Sequence, residues 1–258
     1  MKQMMGIAIN AARAAGKILK ENFGKCLKID FKGEIDLVTD IDRMSEETII
    51  EIIRDEYPDH QILAEESEGQ KGTSSYKWII DPLDGTTNYA HGYPCFSISI
   101  ALEEDGDILL GVIYNPIHEE LFTAERGKGS FLNRRKIKVS SADMLTYSML
   151  ATGFPYDLRE SQNNNLKHFN NFIIRSQAIR RAGSAALDLC YVAMGRFDGF
   201  WEPKLSPWDV AAGSLIVKEA EGMVTDFEGG KFDIYSKEIL ATNGRIHNEM
   251  VDVLKTGC

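Results

Sequence analysis

Two aspartates, Asp81 and Asp84, stand three residues apart after the apolar run Trp78–Ile80. The run predicts a buried strand, and the Gly-Thr-Thr-Asn segment at 85–88 predicts a turn or the start of a helix. Because an ionised carboxyl group is costly to bury without a cation, acids at this point favour a metal site. Solvated acids in an ordinary turn are the alternative interpretation. The same glycine and threonines offer free N–H groups to a phosphate, provided that a helix begins there.

Magnesium suits such a site because it prefers an octahedron of oxygen ligands. A pair of ions about 3.5–4 Å apart would need several carboxylates, one or more of them bridging. Glu65 follows a predicted short strand and is the natural third ligand, and Asp209 is the candidate fourth. The local sequence fits Asp209 equally well as a simple N-cap of an apolar helix.

Helices and short strands must bring these distant acids together. Residues 97–139 fit an antiparallel meander better than repeated β-α-β units, and no long linker or internal repeat divides the chain. We predict helices at 4–23, 39–57, 163–177, 184–194, 208–221 and 246–254. We predict strands at 61–64, 78–80, 97–102, 109–114, 121–124, 130–139 (as a pair), 149–151, 197–201, 223–225 and 239–241.

The composition limits the class of protein. The chain has 258 residues, 43% of them hydrophobic, which is ample for a substantial core. Its formal net charge of −10 disfavours nucleic acid as the primary partner. No signal peptide or membrane span is recognised, so we expect a cytoplasmic protein with no membrane partner. The five histidines share no metal-ligand spacing, and the cysteines, Cys26, Cys95, Cys190 and Cys258, form no CxxC pair.

Two segments carry a resemblance to a known family. Residues 81–89, Asp-Pro-Leu-Asp-Gly-Thr-Thr-Asn-Tyr, resemble the first signature of the inositol monophosphatase family, and residues 208–213, Trp-Asp-Val-Ala-Ala-Gly, are similar to its second. Residues 64–66 match its Gly-Glu-Glu except for Ala64, a small-for-small change. The segment 36–42 and the glycine-rich hairpin at 127–133 also resemble that family.

The resemblance implies a Mg²⁺-dependent, lithium-sensitive phosphomonoesterase with two or three magnesium ions. Thr86, hydrogen-bonded to Asp42, and Glu65 would position and help deprotonate a metal-bound water for in-line attack. Gly85 and Thr86 would bind the phosphate. Asp81 would bridge two ions, with Asp84 and Asp209 sharing only the second. The complete set of metal ligands would be Glu65, Asp81, the Leu83 carbonyl, Asp84 and Asp209.

The resemblance also implies a substrate side. Glu202 corresponds to a glutamate that accepts hydrogen bonds from substrate hydroxyls, and Gly183, Ser184 and Ala185 to a segment lining the sugar pocket; Ser184 also fits a helix N-cap. Lys32 corresponds to a loop lysine near the metals, with a solvated surface lysine as the alternative. Arg180 would bind a second phosphate or, as we favour, form salt bridges at a dimer interface.

These implications give a complete expectation. The fold would be α/β (α+β): a layered αβαβα sandwich with an antiparallel N-terminal sheet and a second, mixed C-terminal sheet. It would form one compact catalytic unit over 1–258, with halves at 1–140 and 141–258 and the active site between them. The substrate would be a small polyol or sugar phosphate, foremost inositol 1-phosphate, and the assembly a homodimer. Alternatives are fructose-1,6-bisphosphatase or NADP phosphatase activity, or a regulatory, RNA-associated role of the same fold.

Overall fold

Helices and strands follow one another along the whole chain. The computed structural model describes residues 1–25, 29–31, 37–67, 69, 71–162 and 164–256. Its helices are α1 (Lys2–Asn22), α2 (Asp40–Glu56), α3 (Thr86–Ala90), α4 (Leu166–Ile173), α5 (Ala185–Ala193), α6 (Pro207–Glu219) and α7 (His247–Lys255). Its strands are β1 (Ile29–Phe31), β2 (Leu37–Thr39), β3 (Gln61–Ala64), β4 (Tyr76–Asp84), β5 (Ser97–Glu104), β6 (Asp107–Asn115), β7 (Glu120–Glu125), β8 (Gly129–Leu132), β9 (Arg135–Lys136), β10 (Met149–Thr152), β11 (Ala178–Arg180), β12 (Gly199–Pro203), β13 (Met223–Thr225) and β14 (Glu238–Thr242).

The larger sheet has seven strands in the order β3-β4-β5-β6-β7-β8-β9. Five of its pairings are antiparallel, as the predicted meander requires, but β3 runs parallel to β4, with Ala64 opposite Ile80. The N-terminal sheet is thus antiparallel as predicted in all its pairings but that of β3 with β4. Parallel pairing puts the carboxyl ends of both strands at one edge, so Glu65 emerges beside Asp81.

The second sheet is mixed, as predicted, with the order β11-β10-β12-β14-β13. Strand β10 runs parallel to both of its neighbours, whereas β14 is antiparallel to β12 and β13. Strand β11 was not predicted, and the helix predicted at 163–177 is shortened to α4 because the chain turns into this edge strand. The short helix α3 begins within the segment 85–88, where the sequence predicted either a turn or the start of a helix.

Five layers stack as the layered-sandwich prediction requires. The amphipathic helices α1 and α2 cover one face of the seven-stranded sheet through Ala8, Ala12, Leu19 and Ile49, all fully buried. Helices α5 and α6 lie between the two sheets, and α4 and α7 pack on the far face of the second sheet. Because α5 and α6 are covered on both sides, they are apolar almost all round and carry few charges.

Candidate active site

The tip of β4 holds the first two candidate ligands. Asp81 pairs with Ser99 of β5 and Asp84 with Ser97, so β4 carries one extra residue between them. Such a bulge bends the strand and re-aims its side chains. The Ser45 hydroxyl of α2 donates a hydrogen bond to the Pro82 carbonyl at 2.8 Å and fixes the bulge. Both aspartates are consequently buried at the strand end rather than solvated in a turn.

Asp84 is held by the N-terminus of α5. Its carboxylate accepts hydrogen bonds from the Ser184 hydroxyl at 2.5 Å and from the backbone N–H groups of Ala186 at 2.9 Å and Ala185 at 3.2 Å. A helix N-terminus stabilises negative charge, because its first N–H groups lack helical partners. Burial nevertheless raises the pKa of Asp84 to about 6, with these hydrogen bonds opposing the rise. Residues predicted to line a sugar pocket therefore also orient a candidate metal ligand.

Asp209 reaches the same point from the start of α6. It occupies the third position of the helix and not the predicted N-cap, which is Ser206. Its carboxylate accepts a hydrogen bond from the Ser206 backbone N–H at 2.6 Å, half of a capping box. The Ser99 hydroxyl of β5 donates to the Trp208 carbonyl at 3.2 Å, which ties this helix start to the larger sheet. Capping geometry and a position in the acidic cluster are thus both present in one residue.

The three aspartates form one cluster. One carboxylate oxygen each from Asp81, Asp84 and Asp209 lies within 4.8 Å of the others. Burial raises the pKa of Asp81 and Asp209, and the carboxylates of Glu65 and Asp84 raise both further. Glu65 lines the same cavity, although it lies outside the close trio. Crowded, buried carboxylates favour a bound cation, and an all-oxygen donor set fits a hard divalent ion such as Mg²⁺.

The loop after β3 places Glu65. The backbone N–H of Glu66 donates to the buried carboxylate of Glu46 on α2 at 2.8 Å, which anchors the strand end. Glu65 is partly buried and follows Ala64, whose pairing with Ile80 sets it beside the β4 tip. Glu65 therefore enters the cavity from the end of β3, beside the tip of β4.

The start of α3 contributes the Thr86 hydroxyl and a turn at Gly85. The Thr86 hydroxyl lies 3.0 Å from Oδ1 of Asp42 and 3.0 Å from the Leu83 carbonyl, and it can donate to either. Gly85 has a φ of 99°, and a Cβ there would lie 3.0 Å from the Cys95 carbonyl oxygen. Only glycine suits this left-handed, crowded position. The predicted hydrogen bond between Thr86 and Asp42 is present.

The far side of the cavity comes from the second sheet. Glu202, at the end of β12, is buried and shares a cavity of about 530 Å³ with the aspartates. Burial, with Asp84 nearby, raises the pKa of Glu202 to about 8. Gly153 lies directly against it, and a Cβ at 153 would stand 2.0 Å from its Oε1. Sequence reasoning missed Gly153, because Gly-Phe-Pro at 153–155 is indistinguishable from an ordinary turn.

Other predicted residues divide between the cavity and the surface. Gly183, Ser184 and Ala185 line the cavity, and so does Arg181. Arg180 is exposed on β11 and is not among the lining residues. Asp188 of α5 also lines the cavity. Sequence reasoning did not identify it, although an acidic residue in so apolar a helix could have indicated a functional position. Lys32, Cys26 and Cys258 lie outside the described residues.

The fold is a layered α+β sandwich, and its cavity holds a buried acidic cluster that could bind a metal ion. The profile of the inositol monophosphatase family matches residues 1–256, and the chain belongs to that family. An inositol-1-monophosphatase of Synechocystis is 46% identical over 98% of this chain and 89% of that protein. The protein named Nus factor SuhB of Pasteurella multocida is 45% identical over 99% of this chain and 97% of that protein.

Solved structures of related proteins share this fold. The inositol monophosphatase of Anabaena superposes with a TM-score of 0.91 at 46% identity, covering 99% of this chain and 96% of that one. The extragenic suppressor protein suhB of Bartonella henselae superposes with a TM-score of 0.94 at 44% identity, covering 99% of this chain and all of that one. The chain is accordingly an enzyme of the phosphatase class. Within the part of the chain that the structure describes, no helix is long and apolar enough to cross a bilayer.

Proposed function

We propose that this protein is a Mg²⁺-dependent phosphomonoester hydrolase that acts on a small polyol phosphate, with inositol 1-phosphate as the first substrate to test. The observation that carries the proposal is the aspartate trio beside the glycine turn at Gly85. Buried carboxylates at that spacing suit a cation, and the backbone N–H groups of the glycine turn next to them suit a phosphate. Few reactions other than phosphate transfer need a cation site and a phosphate site within one cavity.

The residues that would hold two or three Mg²⁺ ions are Glu65, Asp81, Asp84, Asp209 and the Leu83 carbonyl. When bound, the ions would neutralise phosphate oxygens and lower the pKa of coordinated water. Asp81, Asp84 and Asp209 would together supply the carboxylate oxygens that hold the ions at the tip of β4. The donors on Asp84 fix the orientation of its carboxylate, so its position is set before any ligand arrives.

The remaining groups have distinct tasks in the proposed reaction. The backbone N–H groups of Gly85 and Thr86 bind the phosphate at the start of α3. Asp42 accepts the hydrogen bond of the Thr86 hydroxyl, which leaves that oxygen free to accept from a water. Glu65 accepts a proton as that water attacks in line with the departing alkoxide.

The proposed substrate class follows from the opposite wall. A cavity of about 530 Å³ accommodates a single sugar-sized ring. The carboxylate of Glu202 suits hydroxyl donors, which favours a polyol over an aromatic or acyl phosphate. Fructose 1,6-bisphosphate and NADP would need an additional cation or more space. Arg181 and Lys204 are the cationic side chains among the described lining residues, and Lys204 already pairs with Asp157.

Phosphate release from inositol 1-phosphate tests the proposal. We expect release with Mg²⁺, none with EDTA, and inhibition by lithium. Asp84→Asn should abolish release, because it weakens a metal ligand while keeping its shape. The matched control is Asp105→Asn in the exposed β5–β6 turn, where a φ of 51° suits asparagine, and it should retain wild-type activity. An Asp84→Asn enzyme with most of its activity would refute the metal-site assignment.

A second candidate function rests on relatives that carry the name Nus factor SuhB. It is a regulatory, RNA-associated role of the same fold, which does not require the metal site. An electrophoretic mobility shift with single-stranded RNA tests it, with the Asp84→Asn variant alongside. Retention of the shift in that variant would support a separate role, and absence of a shift for the wild-type protein at micromolar concentration would refute it.

A further inference from the structure

Asp188 is a buried acid in the cavity that the proposed reaction does not use. It lies in the first turn of α5, is 1% exposed, and lines the same cavity as Glu202 and Asp84. Its Oδ1 atom has no hydrogen-bond partner among the described residues. A carboxyl group buried without a partner is costly, so its presence calls for an explanation.

A structural role does not account for it. An acid near a helix N-terminus is favourable in general, but the leading N–H groups of α5 already serve other acceptors. Those of Ala185 and Ala186 donate to Asp84, and that of Leu187 donates to the Ser184 hydroxyl. The residues on either side of Asp188 are Leu187 and Leu189, both fully buried. An apolar side chain would stabilise the helix at this position more than a side chain whose buried Oδ1 atom has no partner among the described residues.

The surroundings of Asp188 are those of a ligand contact. Burial raises its pKa, with the carboxylates of Glu202 and Asp84 adding to the rise and the guanidinium of Arg181 opposing it. The same two residues act on the pKa of Glu202, which Asp84 raises and Arg181 lowers. Asp188 and Glu202 therefore face one region of the cavity, from a helix and a strand of different layers.

We propose that Asp188 is a specificity-determining residue that binds a hydroxyl group of the substrate together with Glu202. The inference rests on the proposed phosphatase function and narrows its substrate class. Two carboxyl groups on one wall bind a ring with neighbouring hydroxyls, since each carboxyl oxygen accepts from one of them.

The experiment compares two substrates in the Mg²⁺-loaded enzyme. Inositol 1-phosphate carries free hydroxyls, whereas phenyl phosphate has none. For Asp188→Ala we expect kcat/KM to fall about 10- to 100-fold with inositol 1-phosphate, the range for a lost hydrogen bond to a charged group. With phenyl phosphate it should stay within about twofold. Asp188→Asn is nearly isosteric and keeps one acceptor, so it should fall less with inositol 1-phosphate.

The matched control is Ser214→Ala, which removes a buried polar group from the neighbouring helix α6 outside this cavity. It should leave the ratio of the two kcat/KM values unchanged. Equal losses on both substrates, or an unchanged ratio in both Asp188 variants, would overturn the inference while leaving the phosphatase proposal intact. A wild-type protein that releases phosphate from neither substrate would refute both.

Discussion

Replacing Gly153 by alanine is expected to displace Glu202 and to weaken the binding of hydroxylated substrates. A Cβ at 153 would lie 2.0 Å from Oε1 and 2.3 Å from both Cδ and Oε2 of Glu202. Because such contacts essentially never fall below 3.0 Å, the carboxyl group must move by about 1 Å or more. The clash involves the end of a side chain and not the backbone, so the fold should survive.

The magnitude follows from the hydrogen bond that is lost. A carboxylate moved by about 1 Å no longer holds a hydroxyl at bonding distance, and a charge-assisted hydrogen bond contributes about 1.5–3 kcal/mol. We therefore expect kcat/KM for inositol 1-phosphate to fall about 10- to 100-fold in Gly153→Ala. The thermal midpoint should drop by only a few degrees, as for a mild rearrangement of packing.

Steady-state kinetics with inositol 1-phosphate and phenyl phosphate are the assay. Gly6→Ala is the matched control, since a Cβ at Gly6 of α1 meets nothing within 4 Å. It should leave both substrates unaffected. If Gly153→Ala kept the wild-type kcat/KM for inositol 1-phosphate, Glu202 would not be the group that contacts its hydroxyls.

Three further predictions concern the support of Asp84, the turn at Gly85 and the buried carboxyl group of Glu202. Ser184→Ala should lower the Mg²⁺ affinity measured by calorimetry about tenfold, because it removes a hydrogen-bond donor to Asp84. Ser184→Thr keeps a hydroxyl and should bind Mg²⁺ as the wild type does; an unchanged affinity in the alanine variant would contradict the role given to Ser184 in orienting Asp84. Gly85→Ala should lower the free energy of unfolding by about 1–2 kcal/mol because of the φ of 99°, and by more because its Cβ would crowd the Cys95 carbonyl oxygen. The Tm measured by calorimetry should fall by several degrees; an unaltered Tm would show that position 85 tolerates a side chain. Glu202, whose pKa is raised from 4.5 to about 8, stabilises the metal-free fold fully below pH 4.5, and that contribution is lost as the pH rises through 8. Tm in EDTA should therefore fall between about pH 4.5 and pH 8, and Glu202→Gln should flatten the fall; parallel curves for the two proteins would exclude Glu202 as its source.

The order of elements and the β4 tip were predictable because their patterns are local. Apolar periodicity located six of the seven helices of the described chain, and two acids after a buried run marked the tip. The parallel pairing of β3 was not predictable, since the connection at 65–75 contains no helical pattern to announce a crossover. The alternative interpretation of Asp209 as an N-cap was wrong by three residues, because Ser-Pro-Trp-Asp offers two capping residues and only the geometry selects Ser206.

The substrate wall was less accessible to sequence reasoning. Gly153 matters only because Glu202 arrives against it from another strand, a contact that no local pattern encodes. Asp188 resembles an ordinary acid in the first turn of a helix, and its isolation is visible only once its neighbours are known. Roles set by long-range contact are those that periodicity and propensity cannot assign.

The support of Asp84 by α5 also bears on how the chain is made. Its donors Ser184, Ala185 and Ala186 lie 100 to 102 residues further along. At about 5–20 residues per second, the ribosome needs roughly 5–20 s to deliver them after Asp84 has been synthesised. During that interval Asp84 lacks these three donors, and the sheet face that α5 and α6 later cover stays open. A nascent chain that stalls before Ser184 therefore exposes both an incomplete cation site and an apolar surface, which makes unfinished molecules distinguishable from finished ones.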